Sequence, residues 1–200
     1  MAALVASENP VLATGSAQVE DFAAVLRSRR SIDLFLPEPI DVDRLRAAID
    51  VARWAPNHRL TEPWRFYLLG PATMGAVVDL AVELDVAAKG ERVGAVRRAR
   101  LEAIPGMFVL TSARSEDALA DRENYAACCC AVQNLMLYLW LQGIGVKWTT
   151  GGVTRQQRFY ELLGIDSQKE SVVGLFWYGA PKAIPTQKRR PVEDIVTERP

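Results

Sequence analysis

Two short basic clusters carry the clearest chemistry in this chain. Arg29, Arg30 and Ser31 end a helical stretch, and Lys188, Arg189 and Arg190 lie near the C-terminus. Two guanidinium groups beside a hydroxyl can hold a phosphate through charge-assisted hydrogen bonds. The same arginines at a helix C-terminus also complement the helix dipole, and spacing alone leaves these two readings level. His58, the one histidine, falls in the polar loop Asn57 to Pro63, where an ordinary surface position is the plainer reading. Val146-Lys147-Trp148-Thr149-Thr150 reads as a short strand, and the Gly151-Gly152 pair after it frees the backbone to turn closely around a ligand. Cys128, Cys129 and Cys130 are consecutive. Adjacent helix positions point about 100° apart, so the three are expected to be small packing residues rather than a disulfide or a shared metal site.

Bulk properties narrow the function classes. Lys plus Arg and Asp plus Glu number 24 each. A zero net charge gives no general electrostatic case for nucleic acid or an anionic membrane, so any anion site must be local. No GxGxxG follows a strand, no GxxxxGK[ST] is present, and no serine sits in a GxSxG elbow. Those absences leave a Rossmann dinucleotide site, a P-loop and a hydrolase nucleophile unsupported. One histidine and clustered cysteines offer no metal site, and the lack of a disulfide frame fits a reducing cytoplasm.

These residues need elements to position them. Val19 to Arg30 reads as a helix with Phe22, Val25 and Leu26 on one face, after a loose arm over residues 1–18. Ile32 to Pro39 is extended. Asp41 or Asp43 can cap a helix with Leu45, Ile49 and Ala52 on its apolar face. Trp64 to Leu69 reads as a strand, Thr73 to Ala87 as an amphipathic helix, and Lys89 to Ala103 as a charged helix that is either solvated or a flap over a site. Met107 to Thr111 is a short apolar strand. Asn124 to Gln142 is apolar on nearly every side, would run about 28 Å as a helix, and is stopped by Gly143 and Gly145. A membrane span is the competing reading, opposed by Gln133-Asn134 at its centre and by the lack of a second such segment. Thr154 can cap a helix from Arg155 to Leu163, closed by Gly164, and Val172 to Tyr178 is the strongest strand and is expected to be central. A helical layer on a mixed sheet is the class this pattern predicts.

Four pieces, in order, resemble the FMN-dependent nitroreductase family: Arg29-Arg30-Ser31, the stretch from Ala55-Pro56-Asn57-His58 to Pro63-Trp64-Arg65-Phe66, the Gly145–Gly151 strand after the long helix, and the ending from Gly179-Ala180-Pro181 to Lys188-Arg189-Arg190-Pro191. The closest likeness is to the short single-domain bacterial NAD(P)H nitroreductase branch. The resemblance implies an α+β sandwich, a mixed and mostly antiparallel sheet flanked by helices with a long central apolar helix. Residues 19–200 would form one FMN-binding domain with a C-terminal extension over 181–200. It also implies a homodimer with FMN at the subunit interface and a cytoplasmic enzyme with no nucleic-acid or membrane partner. NAD(P)H would give hydride to flavin N5 in a ping-pong cycle, and a nitroaromatic or quinone-like acceptor would then take the electrons. Chemistry on the flavin leaves no side chain an essential catalyst. Carried over by position, Arg29, Arg30 and Ser31 would meet the ribityl phosphate and the pyrimidine edge, with Arg189, and Lys188 beside it, reaching the phosphate from the tail. His58 would come from the other subunit, and Trp148, Thr149 and Thr150 would line the ring. Tyr138 to Gly143 match a stretch linked to NAD(P). The alternatives are a specialised relative on the same fold, deiodinase-like or flavin-cleaving, and a flavin-binding protein without turnover. The chain departs from the family at Asp33, where a second arginine is usual, and at Glu62, where Gln-Pro-Trp becomes Glu-Pro-Trp.

Overall fold

A computed structural model describes residues 16–199. Most of the loose arm expected over residues 1–18 lies outside them, and Ser16 to Gln18 belong to the first helix, α1 (Ser16–Ser28). Helices α2 (Val42–Ala52), α3 (Pro71–Lys89), α4 (Glu91–Glu102), α5 (Ala118–Leu141) and α6 (Gln157–Leu163) alternate with strands β1 (Trp64–Leu69), β2 (Gly106–Ala113), β3 (Gly145–Thr149) and β4 (Glu170–Gly179). The sheet order is β1-β2-β4-β3, and all three pairings are antiparallel. A single parallel bridge, Ser31 to Val146, adds the chain after α1 to the outer edge of β3. This is the expected α+β class, and β4 is central.

β2 alternates Phe108 and Leu110 on one face with Met107 and Val109 on the other, and all four are fully or almost fully buried. A strand is apolar in both parities when helices cover both faces of its sheet. On the first face, Phe108, Leu110, Phe176 and Tyr178 pack with Leu45 and Ala48 of α2 and with Cys128, Leu135 and Leu139 of α5. Phe108 and Phe176 stack there, with ring centroids 4.7 Å apart. On the second face, Met107, Val109, Leu175 and Trp177 pack with Val77 and Leu80 of α3, Leu101 of α4 and Phe159 of α6. The molecule is a sandwich of helix, sheet and helix.

The long helix differs from its expectation in a telling way. It begins six residues earlier, at Ala118, because the Asp117 side chain accepts the Leu119 N–H and caps it. Only one side of it is buried. Leu119, Tyr125 and Leu141 are exposed, the last by 66%, so among the described residues these apolar side chains of α5 are left largely uncovered. Gly143, at φ 74°, makes the left-handed turn that stops the helix. Gly145 has a different role. It opens β3, and any Cβ there would collide with Ile32. No helix among the described residues is long and apolar enough to cross a membrane.

Two other expectations need correcting. Thr154 does not cap α6: its hydroxyl donates to the Gly151 carbonyl at 2.9 Å inside a 3-10 turn over Gly152–Arg155, and α6 starts only at Gln157. The Lys89 to Ala103 segment is not one helix: Lys89 ends α3, Gly90 breaks the chain, and α4 over Glu91–Glu102 is a charged, largely exposed helix packed on α3 through Gly94 and Leu101. Arg98 reaches Asp79 of α3 at 2.7 Å, and Gly94 lies so close to Val86 that a Cβ would overlap it.

Candidate anion and ring site at the end of the first helix

α1 ends at Ser28, and the Trp140 indole of α5 donates to the Ser28 hydroxyl at 2.9 Å, fixing where the following arginines emerge. Arg29 and Arg30 then line a cavity of about 410 Å³ together with Leu26, Arg27, Gln187 and Arg189. The two basic clusters, far apart in sequence, thus meet. The tail is brought there by an antiparallel bridge of Phe35 with Pro181 and by Leu36 N–H to Ala180 and Lys182 N–H to Leu34 bonds, each 2.9 Å. Burial pushes the Arg29 pKa down, and the nearby Arg189 and Arg30 guanidiniums push it further. Arg30 donates to the Arg27 and Arg29 carbonyls at 2.6 and 2.9 Å, while its Nε is buried without an acceptor. Among the described residues, no carboxylate lines the cavity. Mutually repelling cations with a spare buried donor fit a multiply charged anion, and a phosphate monoester supplies both the charge and the acceptors. Lys188 is not among the lining residues, and Gln187 is: it accepts from Arg189 at 2.7 Å. Nothing in its residue type marked it, because its place follows from the path of the tail.

Ser31 bridges to Val146, so the arginine cluster runs directly into the edge of β3. Trp148 is half-buried on that strand, with its ring 5.3 Å from Phe176. The pairing of β2 with β4 slips between Leu110 and Thr111, so Val173 is the extra residue of a bulge. Its carbonyl accepts the Trp148 indole N–H at 3.0 Å. The Thr149 hydroxyl donates to the Leu175 carbonyl at 2.7 Å, Thr150 is exposed, and Gly151 and Gly152 have open space where a Cβ would stand. A flat, half-buried aromatic surface next to a glycine loop and an anion cavity can hold a planar ring joined to a phosphate.

His58 lies elsewhere. It opens a 3-10 turn over His58–Leu60, is exposed, and sits in a loop where Arg59, Leu60 and Glu62 all have φ between 43° and 54°. Left-handed backbone at three non-glycine residues is strained. Asn57 accepts the Glu62 N–H at 2.9 Å, and Thr61 bonds Asn124 of α5 at 3.0 Å, which hold the loop in place. Glu62 is exposed and faces solvent. Asn124 and Trp140 are sixteen residues apart on α5, or roughly 24 Å at the helical rise. The His58 loop and the Arg29 cavity are therefore at opposite ends of one helix.

Asp33 is ion-paired to Lys147 of β3 and, at 2.9 Å, to Arg100 of α4. The hydrogen bond from Lys147, then the charges of Lys147 and Arg100, hold its carboxyl below the usual aspartate range, against the upward push of burial. Cys128 is buried and Cys130 exposed. Among the described residues, no group of histidine, cysteine and carboxylate side chains could hold a metal.

The sequence profile of the Nitroreductase family matches residues 26–180. YfhC of Bacillus subtilis, whose name is that of an NAD(P)H nitroreductase, is 29% identical over 179 residues, covering 87% of this chain and 92% of that protein. The crystal structure of a nitroreductase-like family protein from Bacillus cereus superposes with a TM-score of 0.79 at 28% identity, over 89% of this chain and 95% of that one. A nitroreductase structure from Desulfovibrio desulfuricans, solved in complex with FMN, shares the fold with a TM-score of 0.69 at 22% identity, over 97% of this chain and 99% of that one.

Proposed function

Because the chain belongs to the nitroreductase family, we propose that it is an NAD(P)H-dependent FMN oxidoreductase acting on nitroaromatic or quinone-like acceptors. The observation that carries this reading is the cavity in which Arg29, Arg30 and Arg189 converge beside the Trp148 surface. Arg29, Arg30 and Arg189 would hold the FMN phosphate, and Ser31 would meet the ring's polar edge. Trp148, Thr149 and Thr150 would line the ring, with the glycines after them allowing close backbone approach. FMN held there would supply the redox chemistry between NAD(P)H and the acceptor, in a ping-pong cycle. The chain's own part is to bind, orient and shield. Solvent delivers the protons, which is consistent with a chain whose one histidine is exposed.

The reading includes a homodimer. Asn124, which holds the His58 loop through Thr61, stands about 24 Å along α5 from Trp140, which holds Ser28 before the arginine cavity, so a site using both His58 and the arginines calls for two copies. The apolar face of α5, with Leu119, Tyr125 and Leu141 exposed, is the surface a second copy would cover.

The test is the visible spectrum of the purified protein after loading with FMN, then anaerobic addition of NADPH or NADH. Flavin absorbance that bleaches, and returns when a nitroaromatic or quinone is added, is the expected result. A protein that takes up no FMN would end the proposal. Flavin that resists both nucleotides would favour a binding protein without turnover.

A further inference from the structure

Glu170 is a buried carboxylate that the proposed site does not use. It stands at the first position of β4 and is 9% exposed. Three donors meet it: the Thr111 hydroxyl of β2, the Tyr67 hydroxyl of β1 at 2.9 Å and the Arg65 guanidinium of β1 at 3.0 Å. One side chain of β4 thus ties β1, β2 and β4 together. A carboxylate is costly to bury unless it is paired and hydrogen-bonded. The Arg65 side chain is 68% exposed, so solvent screens its charge and the ion pair alone gives little reason to bury the acid. The reason lies in the register of the strands.

Leu110 faces Gly174, but Thr111 faces Val172, and the bulge at Val173 makes up the difference. Val173 packs in the core beneath α5, whereas Val172 packs in the core on the opposite face. Glu170, two residues before Val172, shares that opposite face with Thr111 and Tyr67. Without the bulge, Thr111 would face Val173, and Val172, Ser171 and Glu170 would all change face. Val172 and Val173 are the same residue type, so exchanging their faces would cost the two cores little. The bulge-free ladder is also the more regular one. What tells the two registers apart is the acid, which would then point into the apolar core beneath α5, away from both hydroxyls. The Val172 N–H, donating to the Tyr160 hydroxyl of α6 at 3.2 Å, is a lesser help on the same side.

We propose that Glu170 is a positioning residue for the ring surface: its carboxylate, held by the Thr111 and Tyr67 hydroxyls, pins the β2–β4 register that makes the bulge, and so holds the Val173 carbonyl under the Trp148 indole. The indole N–H meets that carbonyl at 3.0 Å and loses it when the bulge slides out. Glu170 lines neither the arginine cavity nor the Trp148 surface, and it acts through β4. The consequence for flavin binding rests on the flavin oxidoreductase reading; the pin itself does not.

Hydrogen exchange of the Trp148 indole N–H, read by NMR in the flavin-free full chain and assigned with Trp148→Phe, reports on the bulge without reference to flavin. Glu170→Ala should speed that exchange by at least about 10-fold, the ratio given by one lost hydrogen bond, and should weaken FMN when it is added. Glu170→Gln keeps an oxygen for the Thr111 hydroxyl and should restore most of the protection. Thr111→Val keeps the shape, loses the hydroxyl and should reproduce part of the effect; combined with Glu170→Ala it should add little, since the two act through one bond. Leu80→Ala, in the core on the α3 side, is the control for lost stability: it should lower the melting temperature while leaving the Trp148 exchange unchanged. If Glu170→Ala does not fold, Thr111→Val carries the test on the same signal. The proposal is overturned if Trp148 exchange does not respond to these changes, if Leu80→Ala speeds it as much, or if Glu170→Gln protects no better than Glu170→Ala. Failure of the flavin reading looks different: the indole exchange responds as stated, while the parent chain takes up no FMN.

Discussion

At the anion cavity, Arg29, Arg30 and Arg189 repel one another, and among the described residues no lining carboxylate offsets them. An anion that enters relieves this, so the cluster should discriminate by charge. Arg189→Gln should weaken FMN by roughly 10- to 100-fold, the range for one charge-assisted hydrogen bond, and should change riboflavin, which lacks the phosphate, far less. Quenching of flavin fluorescence measures both. A second prediction at this scale concerns Cys128, whose thiol burial pushes up to about 12 from an ordinary value of 9.0. With the folded pKa above the unfolded one, its contribution is fully present below pH 9 and is lost as pH rises toward 12, because only the unfolded chain ionises. The slope is at most about 1.4 kcal/mol per pH unit. Cys128→Ala should therefore lose less stability than the parent between pH 9 and 11 in denaturant titrations, after allowing for its lower starting point. Arg29, Arg30 and Arg189 were legible as a possible phosphate clamp because charge is written in residue type. The partners of Asp33 were not: Lys147 and Arg100 are distant in sequence, and only the bridge between Ser31 and β3 brings them to it.

Among the elements, β3 and β4 set the ring surface, and they do it through an irregularity. The bulge at Val173 leaves a carbonyl to be taken by the Trp148 indole, and Gly174 beside it has no Cβ because that indole occupies the space. Gly174→Ala should push Trp148 off its perch, costing about 1–3 kcal/mol of stability and weakening flavin binding as well. Urea unfolding and flavin titration of the same variant check the two effects. Periodicity made the existence and type of most elements legible, since each strand sits where apolar residues cluster between Gly and Pro. The ends were less so. The start of α5 depends on the Asp117 side chain, and the 3-10 turn before α6 depends on the Thr154 hydroxyl bonding the carbonyl of Gly151. A single side-chain hydrogen bond decides such boundaries, and residue type offers several candidates for each. The bulge was not legible at all, because it exists only in the register between two strands.

For the molecule as a whole, the unfinished face of α5 is the feature that reaches beyond one chain. Cys130 lies on its exposed side and is small, so Cys130→Glu should leave the monomer fold intact while placing a charge in the proposed interface. Gel filtration should show a shift from dimer to monomer, and FMN affinity should fall with it. Site sharing has its own test. An Arg189→Gln chain mixed with a His58→Ala chain should regain flavin binding at one site per mixed dimer if the two residues meet across the interface, and should regain none if each chain builds its site alone. The sequence showed that this helix was apolar all round. Which half of it the sheet would use, and which would be left over, was settled by the packing of α2 against it.

Beyond the bond from Lys182 to Leu34, residues 182–199 are exposed and add little to either core, yet they carry Arg189 into the cavity. Folding of the sheet and helices can therefore finish before the clamp closes. A newly made chain would be stable first and competent second, and the cofactor's escape rate would be set by how often this strip peels away rather than by how often the body unfolds. Brief trypsin treatment, cutting at Lys188, Arg189 or Arg190, should then shorten flavin residence sharply while leaving the melting temperature of the flavin-free protein almost unchanged.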